Sequence, residues 1–510
     1  MKPTPRALSL IFFFLVSLAL SPIRGADRPN ILFIIADDAS RHFTEAYGCD
    51  WVKTPHIDRL AREGLVFDNA YVPTSKCAPC RAGIMTGRNP WQLGAAANHQ
   101  PIFPPEIVTF GEAMRSAGIH TGSAGKTWGP GISNDAAGNK RDFGLPAATG
   151  KGTPGEKLTA HLKARPKDAP FFFWYGSSDP HRGYELGSGV AAGKKPTDID
   201  HVPAYWPDNE TVRSDMLDYA IEIESFDRQV GELLATLDEA GLTDNTLVIV
   251  TSDHGMPFPR VKGHTYDDAH RVPLVMRWPA GIKNPGRRVK DFVGAIDFAP
   301  TFLDLLDVDS AARRMAPITG VSLADLLNGE SKHARPHVII GRERNDVFAR
   351  PGTLHGLGYP ARGIRMGDLL YIRNFEPSRW PCGDPDLGLK DTDASPTKSL
   401  IIDLGKGDPF WEHSFGLRPE EQLFDVAADP DCIKNLAADP ARSADRDRLR
   451  DALMAELKRQ ADPRVLGQGD EFDRHPSAKK YVEGWEKGAT DPDEAKKKAG
   501  GKKKAPAGGK

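Results

Sequence analysis

Cysteine is scarce in this chain. Five occur among 510 residues, at Cys49, Cys77, Cys80, Cys382 and Cys432. That is too few for a fold stapled by disulfides, and the odd count leaves at least one cysteine unpaired within the chain. An excess of charge is lacking too. Lys and Arg total 67 against 69 Asp and Glu, a formal net charge of -2. The molecule as a whole is therefore not committed electrostatically to nucleic acid, and any preference for an anion has to come from a local patch. Past Leu20 no apolar run approaches the roughly 20 residues of a membrane span. No internal repeat is found.

What is present is an ordinary globular composition, 39% apolar and 27% charged. A length of 510 residues suits one large domain with a smaller companion. The N-terminus reads as a signal peptide over residues 1–26: Lys2 and Arg6 give a basic start, Ala7 to Leu20 is almost wholly apolar, and Gly25 and Ala26 offer a cleavage point. The expectation is a secreted or periplasmic protein, in an oxidising compartment, with no membrane span after cleavage. A membrane anchor is the alternative, for which the run is short.

Asn30 to Ala36 is a compact Ile-rich run ending in Asp37-Asp38 and reads as a buried strand. Thr54-Pro55 opens a helix, with Thr54 as N-cap and Ile57, Leu60, Ala61 and Leu65 as its apolar face. Phe110 to Ala117 reads as a helix, followed by a short strand into Gly125-Lys126. Pro170 to Gly176 is a second buried strand, running to Asp179-Pro180-His181. Met216 to Leu237 is a long amphipathic helix, and Thr246 to Thr251 a third buried strand, running to Asp253-His254. This alternation predicts an α/β domain over residues 27–334, a large, mostly parallel sheet sandwiched by helices. From 335 the texture changes. Antiparallel strands over Ala361 to Phe375, a short strand over Gln422 to Val426 and a helix over Ser443 to Arg459 predict a smaller C-terminal α+β domain, 335–466. Residues 467–510 read as an extended linker and a disordered tail, mostly Lys, Gly, Ala and Pro from about Ala489.

Three of the strands run into loops that carry Asp or His. In open α/β sheets ligands bind beyond the carboxyl ends of the strands. Asp37, Asp38, His181, Asp253 and His254 are thus expected to converge on one edge, although any one of them alone reads as a polar residue that ends a strand. The most informative stretch is Ser75-Lys76-Cys77-Ala78-Pro79-Cys80-Arg81-Ala82-Gly83, continuing to Thr86-Gly87-Arg88. Pro79 suits the first turn of a helix and puts Cys77 just before its start, where backbone N–H groups favour an anion. Arg81 can add a charge-assisted fork to a sulfate or phosphate oxygen. A structural disulfide between Cys77 and Cys80 is the other reading, and the chemistry of the residues leaves both open.

Cys77-X-Pro79-X-Arg81 followed by Thr86-Gly87-Arg88 resembles the signature of the formylglycine-dependent sulfatases, members of the alkaline-phosphatase-like superfamily. Other stretches match that family in order: Arg28-Pro29-Asn30 before Asp37-Asp38, then Gly125-Lys126, Asp179-Pro180-His181, Thr251-Ser252-Asp253-His254-Gly255, and Leu423-Phe424-Asp425 with Asp429-Pro430 and Asn435-Leu436. The resemblance spans about Arg28 to Leu466. Asp179-Pro180-His181-Arg182 and Gly255-Met256-Pro257-Phe258-Pro259 are similar to the heparan N-sulfatase (sulfamidase) type.

The resemblance implies an alkaline-phosphatase-like fold and a covalent mechanism. Cys77 would be oxidised to formylglycine (3-oxoalanine) by a formylglycine-generating enzyme or an anaerobic maturase. Its hydrate would attack sulfur, expel the alcohol or amine, and then release sulfate. Asp37, Asp38, Asp253 and His254, with residue 77, would hold one divalent cation: Ca²⁺, with Mg²⁺ or Mn²⁺ as alternatives. Nitrogen from His254 would admit Mn²⁺ or Zn²⁺ more readily. Lys126 and Lys262 would neutralise sulfate oxygens, and His181 would bind sulfate or protonate the leaving group. Asp179, Arg182 and His264 are candidates for the substrate end, as are Arg365 and His355, which read equally as members of structural ion pairs. One departure stands out: the family usually has a His about two residues after the motif lysine, where this chain has Trp128. Either another group, His120 or His264 among them, does that work, or the metal alone activates the nucleophile.

The expected activity is hydrolysis of sulfate esters or sulfamates on a sulfated carbohydrate, with no role for nucleic acid. Two further readings are a phosphodiesterase or phosphonate monoester hydrolase on the same fold, and an inactive protein that binds sulfated polysaccharide through Lys496 to Lys498 and Lys502 to Lys504.

Overall fold

The structure, a computed structural model, describes residues 28–149, 151–329, 335–353 and 355–486. The expected signal peptide and Lys-rich tail lie outside the described residues.

Every residue of β1, Asn30–Ala36, is buried. Ile31, Phe33 and Ile35 enter one core, and Leu32, Ile34 and Ala36 enter a second core on the opposite face. A strand covered on both sides has no solvated face, which explains the unbroken apolar run. Six more strands complete the main sheet: β2 Leu65–Tyr71, β3 His120–Gly125, β4 Phe171–Gly176, β5 Thr246–Ser252, β6 Leu274–Arg277 and β7 Arg287–Gly294. Their order is β3-β4-β1-β5-β6-β2-β7. β3, β4, β1 and β5 run parallel, β6 is antiparallel to β5 and β2, and β2 pairs parallel with β7. Because β1 lies between β4 and β5, the loops after β4, β1 and β5 leave the sheet side by side.

The helix Glu210–Glu239 exceeds the expected span because Asn209 caps it, its side chain accepting from Val212 N at 3.1 Å. The helix Pro55–Glu63 ends before Gly64, so Leu65, expected on its apolar face, instead opens β2. Thr54 precedes that helix without a side-chain cap; its hydroxyl donates to Asp58 Oδ2 at 3.1 Å.

The smaller sheet is antiparallel, in the order β11-β10-β9-β8, with β8 His337–Arg342, β9 Ala361–Met366, β10 Leu369–Asn374 and β11 Glu421–Asp425. The helix Ser443–Arg459 covers it with Leu449, Leu453 and Leu457, spaced to share one helical face. The expected linker from 467 needs correction. Phe472 is fully buried against this helix and sheet, and Asp473 Oδ1 accepts from Gly358 N at 2.7 Å, so one aromatic anchor packs the segment onto the domain. Among the described residues no helix is long and apolar enough to cross a membrane.

Candidate active site

Asp37 and Asp38 follow β1, and both reach one site. In continued strand geometry successive side chains point to opposite faces. Asp38 breaks that alternation with φ of 76°, a left-handed conformation that Asp tolerates better than most residues. Its amide donates to Asp253 Oδ1 at 3.1 Å, which ties the end of β1 to the end of β5.

Cys77 is the first residue of the helix Cys77–Thr86, one position further in than expected, with Lys76 before it. It is 2% exposed. All five cysteines are free, so Cys77 and Cys80 are not bridged. Burial pushes the Cys77 thiol well above its ordinary value; Lys126 works against this, while Asp37 and Asp253 add to it. Unmodified, it is a thiol and a weak nucleophile.

The donor atoms gather around it. Those of Asp38, Cys77 and His254 lie within 4.8 Å of one another, as do those of Asp37, Cys77 and Asp253. Cys77 Sγ is 3.3 Å from His254 Nε2, which is 3.3 Å from Asp38 Oδ1. His254 Nδ1 sits 3.0 Å from the Gly255 carbonyl, an acceptor only. Nδ1 therefore carries the proton, and in the neutral ring Nε2 turns a lone pair toward the carboxylates. Asp38 Oδ1 is buried and has no hydrogen-bond partner.

Arg81 corrects an expectation. It is wholly buried and bonds Asp253 Oδ2 at 2.8 Å, Asp37 Oδ1 at 3.4 Å and the Lys126 carbonyl at 2.6 Å. Those commitments leave its fork no free face for a substrate oxygen; it orients the carboxylates instead. Lys126 Nζ, just after β3, grips Asp37 at 2.6 and 2.8 Å. Burial opposes ionisation of Asp37, but Lys126, His181 and Arg81 outweigh it and hold the carboxyl well below the usual range. Lys262 Nζ bridges Asp38 Oδ2 at 2.7 Å and Asp393 Oδ2 at 2.8 Å. Ligand atoms of His181, Asp38 and Asp393 also lie within 4.8 Å of one another, and His181 Nδ1 is 3.0 Å from the Arg182 carbonyl.

Six further candidates lie elsewhere. Arg182 is buried in a two-pronged pair with Asp215, at 2.7 and 3.0 Å. Asp179 accepts from Gln229 Nε2 at 2.7 Å and holds the loop after β4. His264 Nε2 contacts Cys382 Sγ at 3.0 Å, and burial keeps its ring neutral. Arg365 lies 3.4 Å from Asp267. The backbone carbonyl of His355 accepts from Phe348 N at 3.1 Å, within its own loop. His120 opens β3, at the end of the strand opposite Lys126, and stacks on His161 at 4.2 Å. Neither His120 nor His264 therefore stands in for the histidine replaced by Trp128. Sequence reasoning missed Asp393, Lys76, Asp346 and His99. Lys76 Nζ pairs with Asp346 Oδ2 at 2.9 Å, and Asp346 Oδ1 faces His99 Nδ1 at 2.9 Å. Asp346 and Asp393 lie in irregular loops with no periodicity to mark them.

This topology, with its cluster at the strand ends, is the α/β architecture of the alkaline-phosphatase-like fold. Residues 29–308, more than half of the chain, match the family described as Sulfatase. An ulvan-active sulfatase of Formosa agariphila is 28% identical over 86% of this chain and 81% of its own. Human N-sulphoglucosamine sulphohydrolase is 27% identical over 88% of this chain and 93% of its own. Among solved structures, the phosphonate monoester hydrolase of Agrobacterium radiobacter superposes with a TM-score of 0.61 at 18% identity, covering 86% of this chain and 97% of that one. A structure solved with its substrate D-glucosamine-2-N,6-O-disulfate gives 0.59 at 20% identity, covering 85% and 98%. The chain belongs to the sulfatase family. It is a sulfuric ester hydrolase.

Proposed function

We propose that this sulfatase removes sulfate from sulfated glycans, working with formylglycine at position 77 and one divalent cation held by Asp37, Asp38, Asp253 and His254. The observation that carries the reading is Asp38 Oδ1: buried, unpartnered, and 3.3 Å from a His254 nitrogen that offers a lone pair. An unpaired buried carboxylate oxygen is costly unless a cation satisfies it. Three carboxylates and an imidazole form a donor set suited to Ca²⁺, Mg²⁺ or Mn²⁺. Bound there, the cation would supply Lewis acidity toward a sulfate oxygen and the nucleophile.

The chain's own residues divide the remaining work. Lys126 and Lys262 neutralise sulfate oxygens, each kept protonated by a buried carboxylate partner. Arg81 fixes Asp37 and Asp253. His181, its Nδ1 held on the Arg182 carbonyl, keeps Nε2 for the proton that the departing alcohol or amine needs. The glycan reading rests on the relatives that act on ulvan and N-sulphoglucosamine. Secretion rests on the N-terminal pattern of Lys2, Arg6 and the apolar run after it.

Mass spectrometry of the peptide across Cys77, from protein made alongside a converting enzyme, tests the reading. A loss of about 18 Da marks conversion of the thiol to an aldehyde. An unmodified thiol in active protein rejects it. Faster turnover of an aryl phosphodiester than of an aryl sulfate moves the assignment to the phosphonate hydrolase reading.

A further inference from the structure

Between the loop that follows Lys262 and the smaller sheet, four guanidiniums gather around a single carboxylate. Burial lowers the pKa of the His264 ring, and Arg342, Arg418, Arg260 and Arg350 lower it further, so all four guanidiniums act on one place. The only carboxylate that pairs with any of them among the described residues is Asp391, at 3.2 Å from Arg342 Nη2 and 2.5 Å from Arg350 Nη2. Arg418 bonds the carbonyls of Glu412 and His413, and Arg260 those of His413 and Cys432. Carbonyl dipoles satisfy N–H groups but do not cancel a full charge, and an uncompensated buried charge is expensive. Burial pulls the Arg342 guanidinium down to about 10, with Asp391 opposing and Arg350 adding to the fall.

A cavity of about 10 Å³ lies here, lined by Arg342, Arg418, Tyr359, His264, Tyr266 and Gln422 among others. Three of those side chains carry a buried donor with no partner: Arg342 Nε, Arg418 Nε and the Tyr359 hydroxyl. Arg342 is 3% exposed and Tyr359 2%. The volume is about that needed by one particle the size of a water molecule. Water would satisfy the donors but leave the charge.

We propose that this cavity is a structural site for a monatomic halide, chloride in ordinary salt, bound by Arg342, Arg418 and Tyr359. The site is separate from the sulfatase chemistry and does not depend on the reading of position 77. It neutralises the arginine cluster that joins the main domain to the smaller sheet.

The test uses the full protein, compared in sodium chloride and in sodium gluconate at equal ionic strength, gluconate being too large for the cavity. The thermal midpoint is expected to rise with chloride, linearly in its logarithm once the site is mostly filled, and to stay flat in gluconate. Crystals grown in sodium bromide are expected to show one anomalous peak between Arg342, Arg418 and Tyr359. Tyr359→Phe, which removes one donor and no charge, is expected to need several-fold more chloride for the same rise. An absent bromide peak overturns the proposal whatever the midpoints do, and so does an unchanged chloride response in Tyr359→Phe.

Discussion

The indole N–H of Trp128 donates to the carbonyl of Ala78 at 3.0 Å, one residue past Cys77 in the same helical turn. The ring packs edge-on against Phe103 and Phe143, at 5.3 and 5.6 Å. Where the family's motif lysine is usually followed by a titratable histidine, this chain has a strut under the turn that carries Cys77. Trp128→Phe keeps most of the packing and removes the bond. It should cost about 1 kcal/mol of stability and lower kcat several-fold with little change in KM. Unfolding curves and steady-state kinetics check this; an unchanged kcat would remove the positioning role.

Asp38→Asn tests the cation. The wild type should carry about one divalent ion per chain by elemental analysis. The variant should lose the ion, and with it turnover, by a factor on the order of 10³. Chelation of the wild type should lower its thermal midpoint and spare that of the variant. Equal metal content in both proteins contradicts the assignment.

Arg81→Gln removes the guanidinium that pairs with Asp253 and Asp37, and leaves Asp37 with Lys126 and His181. Breaking a buried pair by removing one partner costs roughly 3–5 kcal/mol, so urea unfolding should show a loss in that range. A loss below about 1 kcal/mol would mean that water or another group compensates.

Asp346 supplies the pH dependence. Burial works against its ionisation, but Lys76 and His99 outweigh it and hold the carboxyl well below the usual range. For a depressed carboxyl the folded state binds fewer protons than the unfolded one. Its stabilisation is therefore complete above the unfolded value near 4 and fades as pH falls through the lower folded value. Asp346→Asn should destabilise the protein at neutral pH and flatten the acid limb of stability against pH. Parallel limbs in the two proteins would contradict the role given to this pair.

The parts of the fold legible in the sequence were those under two-sided burial. β1, β4 and β5 carry no charged residue and are apolar through their middles, so their extent and their end-loops could be read directly. β6 is only four residues long, and β7 carries Arg287, Arg288 and Lys290 at one edge of the sheet, so neither shows the same signal. The cluster was readable where it sits beside a strand end, at Asp37, Asp38, Asp253 and His254. Asp393 and Asp346 come from long irregular loops, which only tertiary packing brings to Lys262 and Lys76. Arg182 misled because its sequence neighbour His181 does reach the site; the long helix that supplies Asp215 claims the arginine first.

The burial of Cys77 has a consequence for timing. With 2% of its surface exposed, the side chain offers no handle to a second protein once the domain has closed. The conversion proposed for it therefore belongs to the nascent or exported chain, before β1 and β5 meet. On that proposal, a folded molecule that missed the moment would stay silent for life, and specific activity in any preparation would count the history of its chains rather than how well they are folded.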